Sequence, residues 1–267
     1  MPGRTPPDTD EGLMVSHILW SLDQEKLYQN KADVEQLGQS LAGDLEELNG
    51  IQQMELVRLT SSQSDFMTIA LAEELELLET FQRQFGHREI GRFLNREYTF
   101  LSVTELSFYS DPEDRIEREL QEQGLSEGTD EYEEARREKE ARMEKYEEMR
   151  LHPELPDDMD RVTFYPMKKR RKPEQNWYQL PKEERAKLMK AHGATGRKYS
   201  GKVKQIITSS VGLDDWEWGV TLYAHDPREF KRLIYEMRFD EVSAVYSDFG
   251  PFFTGFRIQP EELPDYC

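Results

Sequence analysis

The hydrophobic pattern of the chain changes period several times, and each change marks an element. Residues 13–22, LMVSHILWSL, form a compact apolar run that suits a β-strand. In NKADVEQLGQSLAGDLEELNG, Val34, Leu37, Leu41 and Leu45 recur at helical spacing and Gly50 supplies a stop, which predicts a helix. Two strand-like runs follow, QMELVRLTS and DFMTIALA. A second helix over AEELELLETFQRQFG then leads to a strand over YTFLSVTELSFY. The order β-α-β-β-α-β is the ferredoxin-like arrangement.

The pattern then breaks. SEGTDEYEEARREKEARMEKYEEMR carries dense charge of both signs and almost no apolar periodicity, which predicts a solvated helix. After it the first order repeats. VTFYPM reads as a strand, and PKEERAKLMKAHG as a helix with Pro181 near its start and Gly193 after its end. SGKVKQIITS and EWGVTLYA read as strands, and PREFKRLIYEMRF as a helix with Phe230, Leu233, Ile234 and Met237 on one face. SAVYSDFGPFFTGF supplies the last strand or strand pair. The expected fold is α+β: two tandem ferredoxin-like (βαββαβ) halves, packed sheet against sheet, of the dimeric α+β barrel type. The halves cover 13–110 and 157–267, with a disordered tail over 1–12 and a charged helical connector over 111–156.

Composition narrows the function classes. The 267 residues carry a formal net charge of -19, which argues against general binding to nucleic acid or to a membrane surface. No apolar run approaches the roughly 18 residues of a membrane helix. The first twelve residues lack the apolar segment of a secretory signal. The single cysteine, Cys267, excludes an internal disulfide and a cysteine metal site, and a reducing cytoplasm is the expected location. Against this acidic background, Lys168–Lys172 are five consecutive cations. From Lys168 to Lys204 there are 13 Lys or Arg against 3 Asp or Glu, a local balance of 13 − 3 = +10. That density suits either phosphate backbones or a small ligand with several carboxylates; no nucleic-acid motif accompanies it.

Three stretches of the chain could carry chemistry. His192 shares a helix face with Arg185, Leu188 and Met189, so it points toward the core. It is either a histidine suited to a helix C-terminus or a single axial ligand to a haem-type iron. Gln205 alternates with Val203 and Ile207 on one side of its strand, where a buried amide needs partners or faces a polar ligand. Tyr165, Met167 and Lys169 lie together on one side of theirs, a poor core but a plausible pocket wall.

Those residues sit in a longer pattern. FYPMKKRR, NWY, HGATGRKYSGKVKQIITSSVGLDDWEWGVTL and KRLIYEMRFDEVSA together resemble the chlorite dismutase-like superfamily, within it the coproheme decarboxylase branch of bacteria that make haem through coproporphyrin. The likeness is dense from Phe164 to Gly255. The charged segment before Arg150 is longer than in that branch.

The resemblance implies roles residue by residue. His192 would be the proximal iron ligand, Gln205 the distal glutamine and Tyr165 the redox-active tyrosine. Met167 would line the porphyrin, and Lys169 would stand beside a reacting propionate. Arg150, Arg238 and Ser243 would bind propionates, Glu241, with the adjacent Asp240 as the alternative, would orient the His192 ring, and Trp177 would stand behind the first layer of contacts. The implied reaction is oxidative decarboxylation of two propionates of iron coproporphyrin III (coproheme) to haem b, with hydrogen peroxide as oxidant. Chlorite dismutation in this superfamily uses a distal arginine, so glutamine at 205 disfavours it. A haem carrier or sensor, or a weak peroxidase, is the alternative on the same fold. A homopentamer and transient contact with a coproporphyrin ferrochelatase are the implied associations.

Overall fold

The structure, a computed structural model, describes residues 6–30, 33, 35–37, 51–108 and 112–266. The helix expected between residues 30 and 50 lies almost wholly outside the described residues, as does Cys267.

The first half contributes β1 (Asp8–Leu22), the short α1 (Gln24–Gln29), β2 (Ile51–Leu59), β3 (Phe66–Ala72), α2 (Leu75–His87) and β4 (Leu94–Phe108). The second contributes β5 (Arg161–Lys169), the hairpin β6 (Arg171–Lys172) and β7 (Gln175–Asn176), α5 (Lys182–Arg197), β8 (Lys204–Ser209) and β9 (Trp218–Ala224). It ends with α6 (Arg228–Met237), α7 (Glu241–Tyr246), β10 (Ser247–Phe249) and β11 (Phe253–Ile258). Between the halves run α3 (Pro112–Glu122) and α4 (Asp130–Leu151).

Each half has the ferredoxin-like strand order: β2-β3-β1-β4 in the first and β8-β9-β5-β11 in the second. The halves do more than pack sheet against sheet. β11 pairs with β2 through Gly255↔Leu59, and β4 pairs with β8 through Val103↔Ser209. With β5 also paired to β9, eight antiparallel strands close into a barrel and leave no free edge among them. β10 and β11 both pair with β5 and are separated at Gly250–Pro251, where proline cannot donate to the ladder.

Strand alternation divides the side chains between lumen and outer faces. Leu13, Val15, Val57, Ile69, Phe100, Phe164, Ile206, Tyr223 and Phe253 fill the lumen. His17 joins them, stacked on Phe164 at 4.1 Å with Nε2 2.8 Å from the Thr221 hydroxyl; desolvation lowers its pKa to about 3, so it is neutral. On the outer face of the first half, Trp20 is buried with Leu78, Phe81 and Phe85 of α2 and with Ile90 and Phe93 just after it. The matching layer of the second half is not closed in the same way. There Met167, Ile207, Ile234, Met237, Phe249 and Phe252 are only partly buried.

Four expectations change. The 1–12 tail is too long: Asp8–Gly12 already belong to β1, with Asp8 opposite Phe108, because β4 offers a partner backbone even to polar residues. α5 runs past Gly193 to Arg197; glycine in a helix costs about 1 kcal/mol, which packing of the helix against α6 and α7 outweighs. SAVY is helical rather than extended, since Asp240 caps α7 by accepting from the Ser243 amide. The charged segment is indeed mostly exposed helix, but it is anchored. Ile116, Leu120 and Tyr132 join α3 to α4, and the Leu151 carbonyl accepts from the Thr104 hydroxyl at 2.6 Å. At that crossing a Cβ on Gly12 would overlap the Leu151 carbonyl, so only glycine lets α4 reach the sheet.

Candidate active site

The candidate site lies where the outer face of the second-half sheet meets α5, α6 and α7. Cross-strand register sets its wall. Tyr165 pairs with Val220, which pairs with Ile207; the next row is Thr163, Leu222 and Gln205. Gln205 and Ile207 therefore share the face of Tyr165 and Met167, as alternation predicted, while Ile206 enters the lumen. Gln205 reaches toward α5: a Cβ on Gly196 would lie 3.5 Å from its Nε2.

Tyr165 is buried and stacks on Phe252 at 4.5 Å and beside Phe249 at 6.0 Å. Burial pushes its phenol well above the usual tyrosine range, and the positive charge of Arg238 opposes the shift only in part. The Arg238 guanidinium sits 3.8 Å over the Phe249 ring, a cation–π contact next to the tyrosine.

Lys169 ends the same strand. It is 7% exposed, unusual for a lysine, with Nζ 4.6 Å from the centre of Trp177 and 3.2 Å from the Ser247 hydroxyl. Desolvation lowers its pKa to about 8, against opposing attraction from Asp240 and Glu217. Trp177 itself is buried against Leu188 and Val242 and tilts against Tyr246 at 5.7 Å.

His192 is the point at which the sequence reading needs correcting. Its Nδ1 lies 3.0 Å from Asp240 Oδ2. Glu241 was the expected partner, yet its side chain is exposed and makes no contact with the ring. The reason is the α7 cap. Asp240, as N-cap, is turned inward, so one carboxylate accepts the Ser243 amide at 3.1 Å, the Ser243 hydroxyl at 3.2 Å and the imidazole. Glu241, one residue further, faces solvent. Burial opposes ionisation of Asp240, but these hydrogen bonds prevail and hold the carboxyl below its usual range. A carboxylate acceptor fixes the proton on Nδ1 and leaves the Nε2 lone pair as the ligand atom. The same geometry gives the buried Ser243 hydroxyl to Asp240, in place of the propionate contact expected of it. Reading D-E-V-S as a helix cap would have favoured Asp240 from sequence.

Arg150, at the end of α4, donates to the Glu105 carbonyl at 3.0 Å while its buried Nε has no partner. Glu105 follows the Thr104↔Thr208 pair, so Arg150 stands at the β8 edge of the wall. The basic run is mostly engaged. Lys168 lies 4.9 Å over Trp216, Lys169 is buried, and Arg170 binds Asp248 at 2.8 Å and the last carbonyls of α7. Arg171 and Lys172 are exposed at the hairpin.

Among the described residues, no group of three or more His, Cys, Asp or Glu is placed to hold a metal ion. A porphyrin-held iron needs only one axial protein ligand. His192 fits that need, and the unclosed apolar layer with Lys169, Arg150 and Arg238 around it fits a flat ring bearing carboxylates. No helix among the described residues is long and apolar enough to cross a membrane.

Comparison with known proteins agrees. The family described as Chlorite dismutase matches residues 30–258. A coproheme decarboxylase of Staphylococcus saprophyticus is 38% identical over 270 residues, covering 97% of each chain. One of Thermus thermophilus is 41% identical over 208 residues, 78% of this chain and 72% of its own. The chain spans only 50% of the length of a relative from Halobacterium salinarum that is 40% identical over 266 residues. Among solved structures, a haem-binding protein of Thermus thermophilus superposes with a TM-score of 0.78 at 37% identity, covering 98% of this chain and 97% of its own. A chlorite dismutase of Candidatus Nitrospira defluvii gives 0.70 at 20% identity, covering 96% and 95%, a likeness of fold alone. The chain belongs to the chlorite dismutase family, with coproheme decarboxylases among its relatives.

Proposed function

We propose that the protein converts iron coproporphyrin III to haem b by oxidative decarboxylation of two propionates, with hydrogen peroxide as oxidant. The observation that carries this reading is the order of side chains along the pocket edge of β5: a buried phenol, a thioether and a buried amine of lowered pKa. A haem carrier needs a ligand and an apolar slot, but not an oxidisable phenol and a desolvated amine side by side.

Each step balances with one peroxide: a propionic acid side chain and H2O2 give a vinyl group, CO2 and two waters. The iron porphyrin, with peroxide, supplies the oxidising power. His192 ligates through Nε2 while Asp240 holds Nδ1–H. Tyr165 gives up an electron and its phenolic proton, and the resulting radical takes hydrogen from the propionate β-carbon. Its high pKa keeps the phenol protonated at rest. Lys169 pairs with the reacting carboxylate as an ammonium and can release a proton near neutrality. Arg150 and Arg238 anchor further propionates and decide which one faces Tyr165. Gln205, neutral and beneath α5, favours peroxide over chlorite. Homopentameric assembly and transient exchange with a ferrochelatase belong to the same reading.

The test is titration of the protein loaded with iron coproporphyrin III with peroxide, followed by mass spectrometry of the extracted porphyrin. Stepwise loss of two carboxyl groups is expected. Binding followed by bleaching alone would overturn the decarboxylase reading in favour of a carrier.

A further inference from the structure

Lys169 is held by two groups to which neither the sequence pattern nor the family resemblance gave a role. The first is Glu217, only 6% exposed, immediately before β9. Its Oε2 accepts the Lys169 amide at 2.7 Å. Its own backbone is fixed on both sides, the amide to the Met167 carbonyl at 3.0 Å and the carbonyl to the Ser210 amide at 2.8 Å. The last β5–β9 pair is Met167↔Trp218, so the Glu217 carboxylate takes the amide that the ladder has just released. The second is Ser247, buried at 1% exposure and opposite Lys169 in the β5–β10 register. Its hydroxyl donates to the Val242 carbonyl at 2.8 Å, which leaves the oxygen to accept from Nζ. The charged groups facing the amine are therefore Glu217 before β9 and Asp240 before α7, with Arg171 on β6 lying 3.6 Å from Glu217.

We propose that Glu217 and Ser247 are positioning residues that aim the Lys169 amine into the site and set the pH at which it exchanges its proton. Glu217 fixes where the backbone of β5 leaves the ladder and supplies a negative charge inside the protein. Ser247 offers an acceptor to the ammonium that it cannot offer as well to the free amine. Both favour the charged form, as does the face of Trp177 beneath the amine, against the burial that favours the neutral one. The ammonium can then meet a carboxylate, and the amine can form without leaving the pocket. The catalytic part of this inference rests on the decarboxylase reading; the control of the amine does not.

The experiment uses the full chain without porphyrin, with labelled lysines, and follows the Lys169 side chain by NMR against pH, assigned by its loss in Lys169→Arg. Glu217→Gln keeps the shape and removes the charge, and Ser247→Ala removes the acceptor. Each is expected to lower the Lys169 midpoint by about 0.5–1 pH unit, the scale set by one partly screened charge or one hydrogen bond. Glu174→Gln, exposed at the β6–β7 hairpin, is the control and should leave it in place. The decarboxylation pH profile of the loaded enzyme should move with the midpoint. An unchanged midpoint in both variants, or an equal shift in the control, would overturn the proposal. If Glu217→Gln fails to fold, Ser247→Ala decides alone. Lowered midpoints without any turnover in the unmutated protein would uphold the control of Lys169 and defeat the decarboxylase reading.

Discussion

Asp240→Asn isolates the electrostatic part of the His192 pair. Asparagine caps a helix about as well as aspartate, so α7 and the Ser243 amide contact should survive. What is lost is the negative charge on the acceptor of Nδ1–H at 3.0 Å, a pair with side chains 25% and 12% exposed. A hydrogen bond to a charged group is worth about 1.5–3 kcal/mol and a neutral one about 1, so the difference is about 1 kcal/mol, or roughly fivefold. The amide can also turn its NH2 toward Nδ1, which moves the ring proton to Nε2 and blocks the ligand atom. Loss of such a partner lowers metal affinity about 10–100-fold in known sites. We expect iron coproporphyrin III to bind Asp240→Asn about 10–100-fold more weakly, read by absorbance titration. Glu241→Gln should bind as the unmutated protein does, because Glu241 faces solvent. Unchanged affinity in Asp240→Asn together with weakened binding in Glu241→Gln would refute the assignment.

Tyr165→Phe should bind the porphyrin normally and fail to decarboxylate it, since it keeps the stacked ring and loses only the hydroxyl; full turnover would exclude the radical role. Lys169 has its pKa lowered to about 8 in the fold, so between pH 8 and the unfolded value near 10.4 the unfolded chain binds the extra proton and stability rises with pH. Urea melts of the unmutated protein and Lys169→Met should show the former gaining relative to the latter across that window, by up to about 3 kcal/mol. No relative gain would mean that the amine is not desolvated. Gly12→Ala should push the end of α4 off β1, costing about 1–3 kcal/mol and weakening binding through Arg150. An unchanged melt and unchanged porphyrin affinity would contradict the tight crossing.

The fold was legible in the sequence wherever one face of an element is buried, because burial imposes a period on the chain. That is why the strand orders of both halves and the faces of β5 and β8 could be read directly, while the long charged helix was legible from its charge instead. Val203, Gln205 and Ile207 were separated from Ile206 by alternation alone, and the focused positive charge marked the half that holds the site. Periodicity could not show that the two sheets share edges, since backbone pairing between β4 and β8 or β11 and β2 leaves no mark on side-chain order. Nor could it choose between Asp240 and Glu241, one residue apart in the chain. The α7 cap made that choice, turning one carboxylate to the imidazole and the next to water. Lys169 shows the same division. Its place on the strand was written in the sequence. Its lowered proton affinity came from burial, held in check by Ser247, Glu217 and Asp240, which only the closed barrel and its helices bring to one amine.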